Sequence, residues 1–139
     1  MSGQDHLGKQ LEQMLKKAKR SLAVAKYNIQ TGDYDFASSR AYYAAFYAIE
    51  GLLVTKNLNF SKHAGVIAAF NQHFIKPAIF PKEFSKMIER LFRDRQTGDY
   101  GFDLTITEDD VNEDVQMAER LISTIESYLV QNNFLQKIA

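Results

Sequence analysis

Apolar residues recur along this chain at spacings of three and four. From about Gln4 to Gln30, Leu7, Leu11, Met14, Ala18, Leu22, Ala25 and Ile29 form one stripe, and Lys16, Lys17, Lys19 and Arg20 occupy much of the remainder. That period predicts an amphipathic first helix. It should stop at Thr31-Gly32-Asp33, where Gly32 suits a C-terminal cap. A second helix is predicted from about Asp33 to Asn57. Its face is built of small residues, Ala37, Ala41, Ala44, Ala45, Ala48 and Gly51. Small side chains shorten the distance at which two helices pack, so this helix is expected at the centre.

A third, short helix is expected from Ser61, read as its N-cap, to about Phe74. Lys76-Pro77 and Phe80-Pro81 break the pattern, because proline disfavours helix at the residue before it. A fourth helix should begin near Pro81 and carry Phe84, Met87, Ile88, Leu91, Phe92 and Arg95 on one stripe. Gln96 to Ile106 contains Gly98 and Gly101 and no helical period, so it reads as a loop. Thr107 then caps a last helix, with Glu108, Asp109 and Asp110 at its positive dipole end. Val111, Val115, Ala118, Ile122, Ile125 and Leu129 follow at alternating spacings of four and three, as near-antiparallel bundle packing requires. No segment alternates apolar and polar residues over a strand's length. The expected fold is all-α, a bundle of four long helices plus a short one, in one domain over residues 1–139.

Composition narrows the chemistry. The absence of cysteine removes disulfides, thiolate metal sites and cysteine nucleophiles. Seventeen basic residues balance seventeen acidic ones, which argues against a uniformly basic nucleic-acid binder and leaves room for a local basic patch. No apolar run is long enough to span a membrane, and the N-terminus lacks the apolar core of a signal peptide. The expected location is the cytoplasm. Three scattered histidines, His6, His63 and His73, form no metal set, and no Glu-x-x-His, His-Glu-x-x-His, phosphate-cradling glycine loop or serine elbow is present. Neither a metal nor a cofactor is expected.

Three polar constellations stand out, each open to a structural or a functional reading. Arg40, Tyr43, Tyr47 and Gly51 share one helix face. A guanidinium beside two phenols can hold a phosphate, and the same residues can equally be an interior arginine paired with a carboxylate among packed rings. Lys62 and His63 stand at the start of the short helix, where free backbone N–H groups attract anions and a histidine can move a proton near neutral pH. There they can also be a solvated first turn. Arg93, Arg95, Asp99 and Tyr100 lie at the end of the fourth helix and in the loop after it; arginines there are favourable on dipole grounds alone, and Gly98 and Gly101 suggest a turn that presents or buries Tyr100.

The motifs Ser39-Arg40-Ala41-Tyr42-Tyr43-Ala44-Ala45-Phe46, Phe60-Ser61-Lys62-His63-Ala64-Gly65-Val66-Ile67, and Arg95 leading into Asp99-Tyr100-Gly101 resemble, in that order, the HEPN domain family, in particular its small stand-alone prokaryotic branch. The resemblance covers roughly Leu15 to Leu129. It implies an up-and-down helical bundle, usually a homodimer, encoded beside a minimal nucleotidyltransferase that acts as antitoxin to a metal-independent ribonuclease. The family's active motif is an arginine followed, after four to six residues, by a histidine on the same helix. This chain departs from it. After Arg40 and six intervening residues comes Tyr47, and after Arg93 and six more comes Tyr100. An unperturbed tyrosine is a poor base at neutral pH.

Either Arg40 and His63 are the catalytic residues, with His63 supplying the proton transfer from another element, or the protein does not cleave RNA. A phosphate, nucleotide or RNA would be held by Arg40, Tyr43, Tyr47, Lys62, His63, Arg95 and Tyr100. The competing expectations are a non-catalytic module that binds a nucleotidyltransferase or nucleotide, and a structural dimer whose polar residues serve only the core.

Overall fold

The computed structural model describes residues 2–100 and 106–136. Five α-helices are present among them and no strand: α1 (Ser2–Gln30), α2 (Tyr34–Val54), α3 (His63–Phe70), α4 (Glu83–Tyr100) and α5 (Glu108–Gln131). The expected all-α bundle of four long helices and one short helix is what the chain adopts.

The central place of α2 follows from its small face. Ala37, Ala41, Ala44, Ala45 and Ala48 are each fully buried, and α1, α4 and α5 all pack against this helix. The Ser21 hydroxyl, itself buried on α1, donates to the Arg40 carbonyl at 2.8 Å and pins the two helices at their close approach. The seam on α5 is buried as its spacing predicts, from Val111 through Leu129. At the other side Phe70, Phe74, Phe80 and Phe84 stack in sequence and close the core.

Helix ends obey local chemistry. At the α1–α2 turn Gly32 takes φ +82, and Gly32 and Asp33 donate their amides to the Ile29 and Asn28 carbonyls, a Schellman closure. Thr107 and Asp110 form a reciprocal capping box: the Thr107 hydroxyl accepts from the Asp110 amide at 3.1 Å, and the Asp110 carboxylate accepts from the Thr107 amide at 3.2 Å.

Four boundaries differ from expectation. Helix α2 ends at Val54 rather than Asn57, because Asn57 turns to φ +58 and the Leu58 amide reaches back to the Leu53 carbonyl in another Schellman closure. Ser61 is not the cap of the short helix. Lys62 is extended there and its carbonyl accepts from the Gly65 and Val66 amides, so Ser61 lies outside the helix altogether. The short helix also ends early, at Phe70, and a π turn over Asn71–Ile75 carries the chain to the prolines. Finally, Gln96 to Tyr100 is helix and not loop. The Thr97 hydroxyl bonds the Arg93 carbonyl one turn back, and Gly98 is carried within the helix at the modest penalty glycine imposes. The rest of that expected loop, residues 101–105, lies outside the described residues.

The extension matters because it places Arg95 inside α4 rather than at its frayed end. Helix α4 is fastened to α5 by Arg90, whose guanidinium lies 2.7 Å from Glu113, 3.4 Å from Asp114, 3.5 Å from Asp94 and 3.9 Å from Asp110. Asp114 is fully buried. Burial, and then the neighbouring Asp94 carboxyl, push it well above the usual carboxylate range.

Candidate functional site

Where α2, α3 and α4 converge, the chain gathers two arginines, a histidine and a set of aromatic rings. The organising side chain is Tyr43, half-buried on α2. The Arg40 guanidinium stands 5.0 Å from its ring centre and that of Arg95 stands 5.3 Å away, both within cation–π range. Arg95 also donates a hydrogen bond to the Tyr43 hydroxyl at 3.0 Å. His63, the first residue of α3, meets the same ring edge-on at 5.8 Å. Arg40 and His63 thus border one phenol although they come from different helices.

Beneath this layer lies Tyr42, fully buried, with its hydroxyl 2.8 Å from His63 Nδ1. The His63 ring stacks on Phe46 at 4.2 Å, so its plane and position are fixed from two directions. Burial pushes the Tyr42 phenol far up, so it keeps its proton. Burial, helped by Arg95, lowers His63 below its ordinary value, so the imidazole is neutral at pH 7. A phenol O–H and a neutral imidazole share this bond in either tautomer; with Tyr42 donating to Nδ1, the imidazole proton sits on Nε2. In both, His63 is a neutral histidine whose ring is held by Tyr42 and Phe46.

Tyr47 lies one turn further along α2, tilted against Tyr43 at 5.8 Å. The Lys17 ammonium, reaching over from α1, caps its ring at 4.5 Å. Glu50 continues the same α2 face. Burial raises its carboxyl above the ordinary value, and Lys17 pulls it partly back.

Of the expected site residues, Arg40, Tyr43, His63 and Arg95 are brought together, and Tyr47 adjoins them. Lys62 is exposed at the extended residue before α3, and its side chain makes no hydrogen bond or ion pair among the described residues. The Tyr100 side chain lies outside the described residues. The alternative of an interior arginine required a carboxylate partner for Arg40. Among the described residues it has none, and an aromatic face takes that place. Sequence reasoning passed over Tyr42 and Phe46, the two residues that orient His63. The signal was present in the run Tyr42-Tyr43-Ala44-Ala45-Phe46, but the helical period cannot say which of two adjacent tyrosines is buried.

Chemically the arrangement offers two positive charges, a phenol held by one of them, and an oriented imidazole, all ranged around the half-buried Tyr43 ring. Delocalised guanidiniums favour phosphate oxygens. Among the described residues no group of histidine, aspartate and glutamate side chains could hold a metal ion.

This fold belongs to a recognisable class. The HEPN domain family matches residues 11–128 of the chain, and the protein is a member of it. A UPF0332 protein of Thermotoga maritima is 38% identical over 119 residues, covering 86% of this chain and 90% of its own. A Methanocaldococcus jannaschii protein named "Putative toxin MJ0142" is 32% identical over 128 residues, covering 92% and 87%. Among solved structures, TT1696 from Thermus thermophilus superposes with a TM-score of 0.72 at 18% identity, over 85% of this chain and 97% of that one. ST0689, an archaeal HEPN homologue, superposes with a TM-score of 0.69 at 21% identity, over 86% and 97%. Both structures share the helical architecture. No helix among the described residues is long and apolar enough to cross a membrane.

Proposed function

We propose that this HEPN protein is an RNA-directed toxin that holds a phosphodiester on the Arg40–Tyr43–Arg95 surface and uses His63 to move the proton in metal-independent cleavage. The observation that carries the reading is the fixing of His63 beside Tyr43 by the Tyr42 hydroxyl at 2.8 Å, with Arg95 bonded to Tyr43. A histidine from α3 then takes the place that the family pattern gives to a histidine on the arginine's own helix. The arginines neutralise charge that builds on the phosphate oxygens, which is where positioned cations accelerate phosphoryl chemistry most. The relatives named as toxins are consistent with this reading. In it the protein acts as a homodimer and is restrained by a minimal nucleotidyltransferase as antitoxin.

A second reading rests on the balanced charge of the chain. A polyanion is normally met by a basic surface, so the same site can bind a nucleotide or the nucleotidyltransferase without cutting RNA. Incubating the purified protein with total RNA and with tRNA separates the two. Cleavage that falls about 100-fold in His63→Ala, and that Arg40→Ala also weakens, supports the ribonuclease. Binding without cleavage in the wild type selects the second reading. Cleavage equal in all three proteins rejects the assigned residues.

A further inference from the structure

Beyond the cation cluster, the same face of α2 runs into a cleft. Arg40, Tyr43, Tyr47, Glu50 and Val54 follow one another at spacings of three and four, so they form one stripe. Toward its far end, beginning at Glu50 about 15 Å from Arg40 by helical rise, a cavity of about 340 Å³ opens between α1, α2 and the connection to α3. Its walls include Gln10 and Met14 of α1, Glu50 of α2, and Asn57, Asn59 and Phe60 of the connection.

The lining is neither a plain apolar hole nor a charged funnel. It joins an aromatic ring, a thioether and four aliphatic side chains to three side-chain amides and one carboxyl. Glu50 lines the cleft and makes no ion pair or hydrogen bond among the described residues, its charge being met only at longer range by Lys17. Phe60 is 37% exposed and packs its inner side against Gly65, two residues beyond His63. Flat apolar surface for stacking, with amides and a carboxyl at the edge, is the chemistry that reads an unpaired nucleobase. A single carboxylate accepts two adjacent donors, and among the RNA bases the Watson–Crick edge of guanine presents such a pair.

We propose that this cleft is a base-binding subsite that takes an unpaired guanine of the RNA strand whose phosphate lies at Arg40 and Arg95. The proposal rests on the reading of the cation cluster as a phosphate site. The separation exceeds what one nucleotide spans between its own phosphate and base, so the ligand is a short single strand. Lys17 and Tyr47 lie midway along the stripe, 4.5 Å apart, where the intervening nucleotide passes.

The test is fluorescence anisotropy with two labelled tetraribonucleotides, one all-uridine and one carrying a single guanosine. In the wild type the guanosine strand binds about tenfold tighter, the discrimination expected of one bidentate pair. Glu50→Gln brings the two strands to the same affinity and leaves the uridine strand where it was. Asn59→Ala, on the exposed connection, narrows the preference without touching the core. Arg40→Ala weakens both strands alike. Equal binding of the two strands by the wild type, or a guanosine preference that survives Glu50→Gln, overturns the subsite while leaving the phosphate site standing. Absence of binding by either strand overturns both.

Discussion

Placing a methyl group on Gly51 tests how α1 and α2 approach each other. Gly51 is buried within α2, at the end of the small-residue face. A Cβ built there would lie 3.6 Å from Leu11 Cδ2, 3.8 Å from Met14 Cβ and 3.9 Å from Met14 Sδ. Those are ordinary van der Waals distances, so the methyl fills space without displacing anything. Alanine in a helix is favoured over glycine by about 1 kcal/mol, and a buried methyl adds up to about 0.8 kcal/mol. Gly51→Ala should therefore stabilise the protein by about 1–2 kcal/mol, or about 3–6 °C in Tm for a chain of this size. Two other glycines calibrate the result. At Gly32, with φ +82, alanine is strained and should destabilise by about 1 kcal/mol. At Gly65 a Cβ meets the Phe60 ring at 3.2 Å, so the gain in helix propensity is offset by pushing Phe60 outward. Urea unfolding with a constant m-value is the assay. A Gly51→Ala protein less stable than wild type would refute the reasoning, because the two helices would then have to pack closer than these contact distances allow.

The remaining predictions concern charge, caps and the histidine. Folding raises the Asp114 carboxyl above its unfolded value, so its protonated form favours the folded state. The contribution of this group to stability is fully present below the usual carboxylate range and is lost as pH climbs through the raised value. Asp114→Asn should flatten that profile and gain about 1–3 kcal/mol in mildly alkaline buffer, since Arg90 keeps Asp94, Asp110 and Glu113. A variant whose melting still tracks pH as the wild type does would show that the buried carboxyl is not the titrating group. Thr107→Ala removes the cap of α5 and should lower stability by about 1 kcal/mol in chemical unfolding, with no change in RNA or nucleotide affinity. Arg95→Gln removes a positive charge from beside His63, so the imidazole should titrate at higher pH when followed by NMR, and an unmoved midpoint would mean that burial alone sets it.

What could be read from the sequence divides along the range of the forces involved. The α5 seam and the α2 small face were legible because burial imposes a period, and Thr107 was legible because a capping box needs residues three apart. The end of α4 was not. Glycine opposes helix by only about 1 kcal/mol, and one Thr97 hydroxyl bonded to the Arg93 carbonyl helps carry the helix on. Ser61 failed as a cap for a similar reason: a serine caps only where the backbone turns at that residue, and here it turns at Lys62. The candidate site lies at the far end of this scale. Arg40 and Tyr43 are one helical turn apart and were paired by spacing alone. His63 and Arg95 join them only through the packing of α3 and α4 on α2, which no local pattern encodes. That difference bears on function. The missing histidine at Tyr47 looked like a loss of catalytic equipment when judged by spacing on one helix. Yet a proton-transfer group is defined by the position of its nitrogen relative to the phosphate, and that position can be supplied from any element that reaches it. In the proposed ribonuclease it is Tyr42 that holds His63 at that place from beneath. Tyr42→Phe is thus the substitution that separates the two views. It leaves every residue of the arginine–tyrosine surface intact while removing the hydrogen bond to the imidazole and leaving only the Phe46 stack, so RNA affinity should persist and any cleavage should fall.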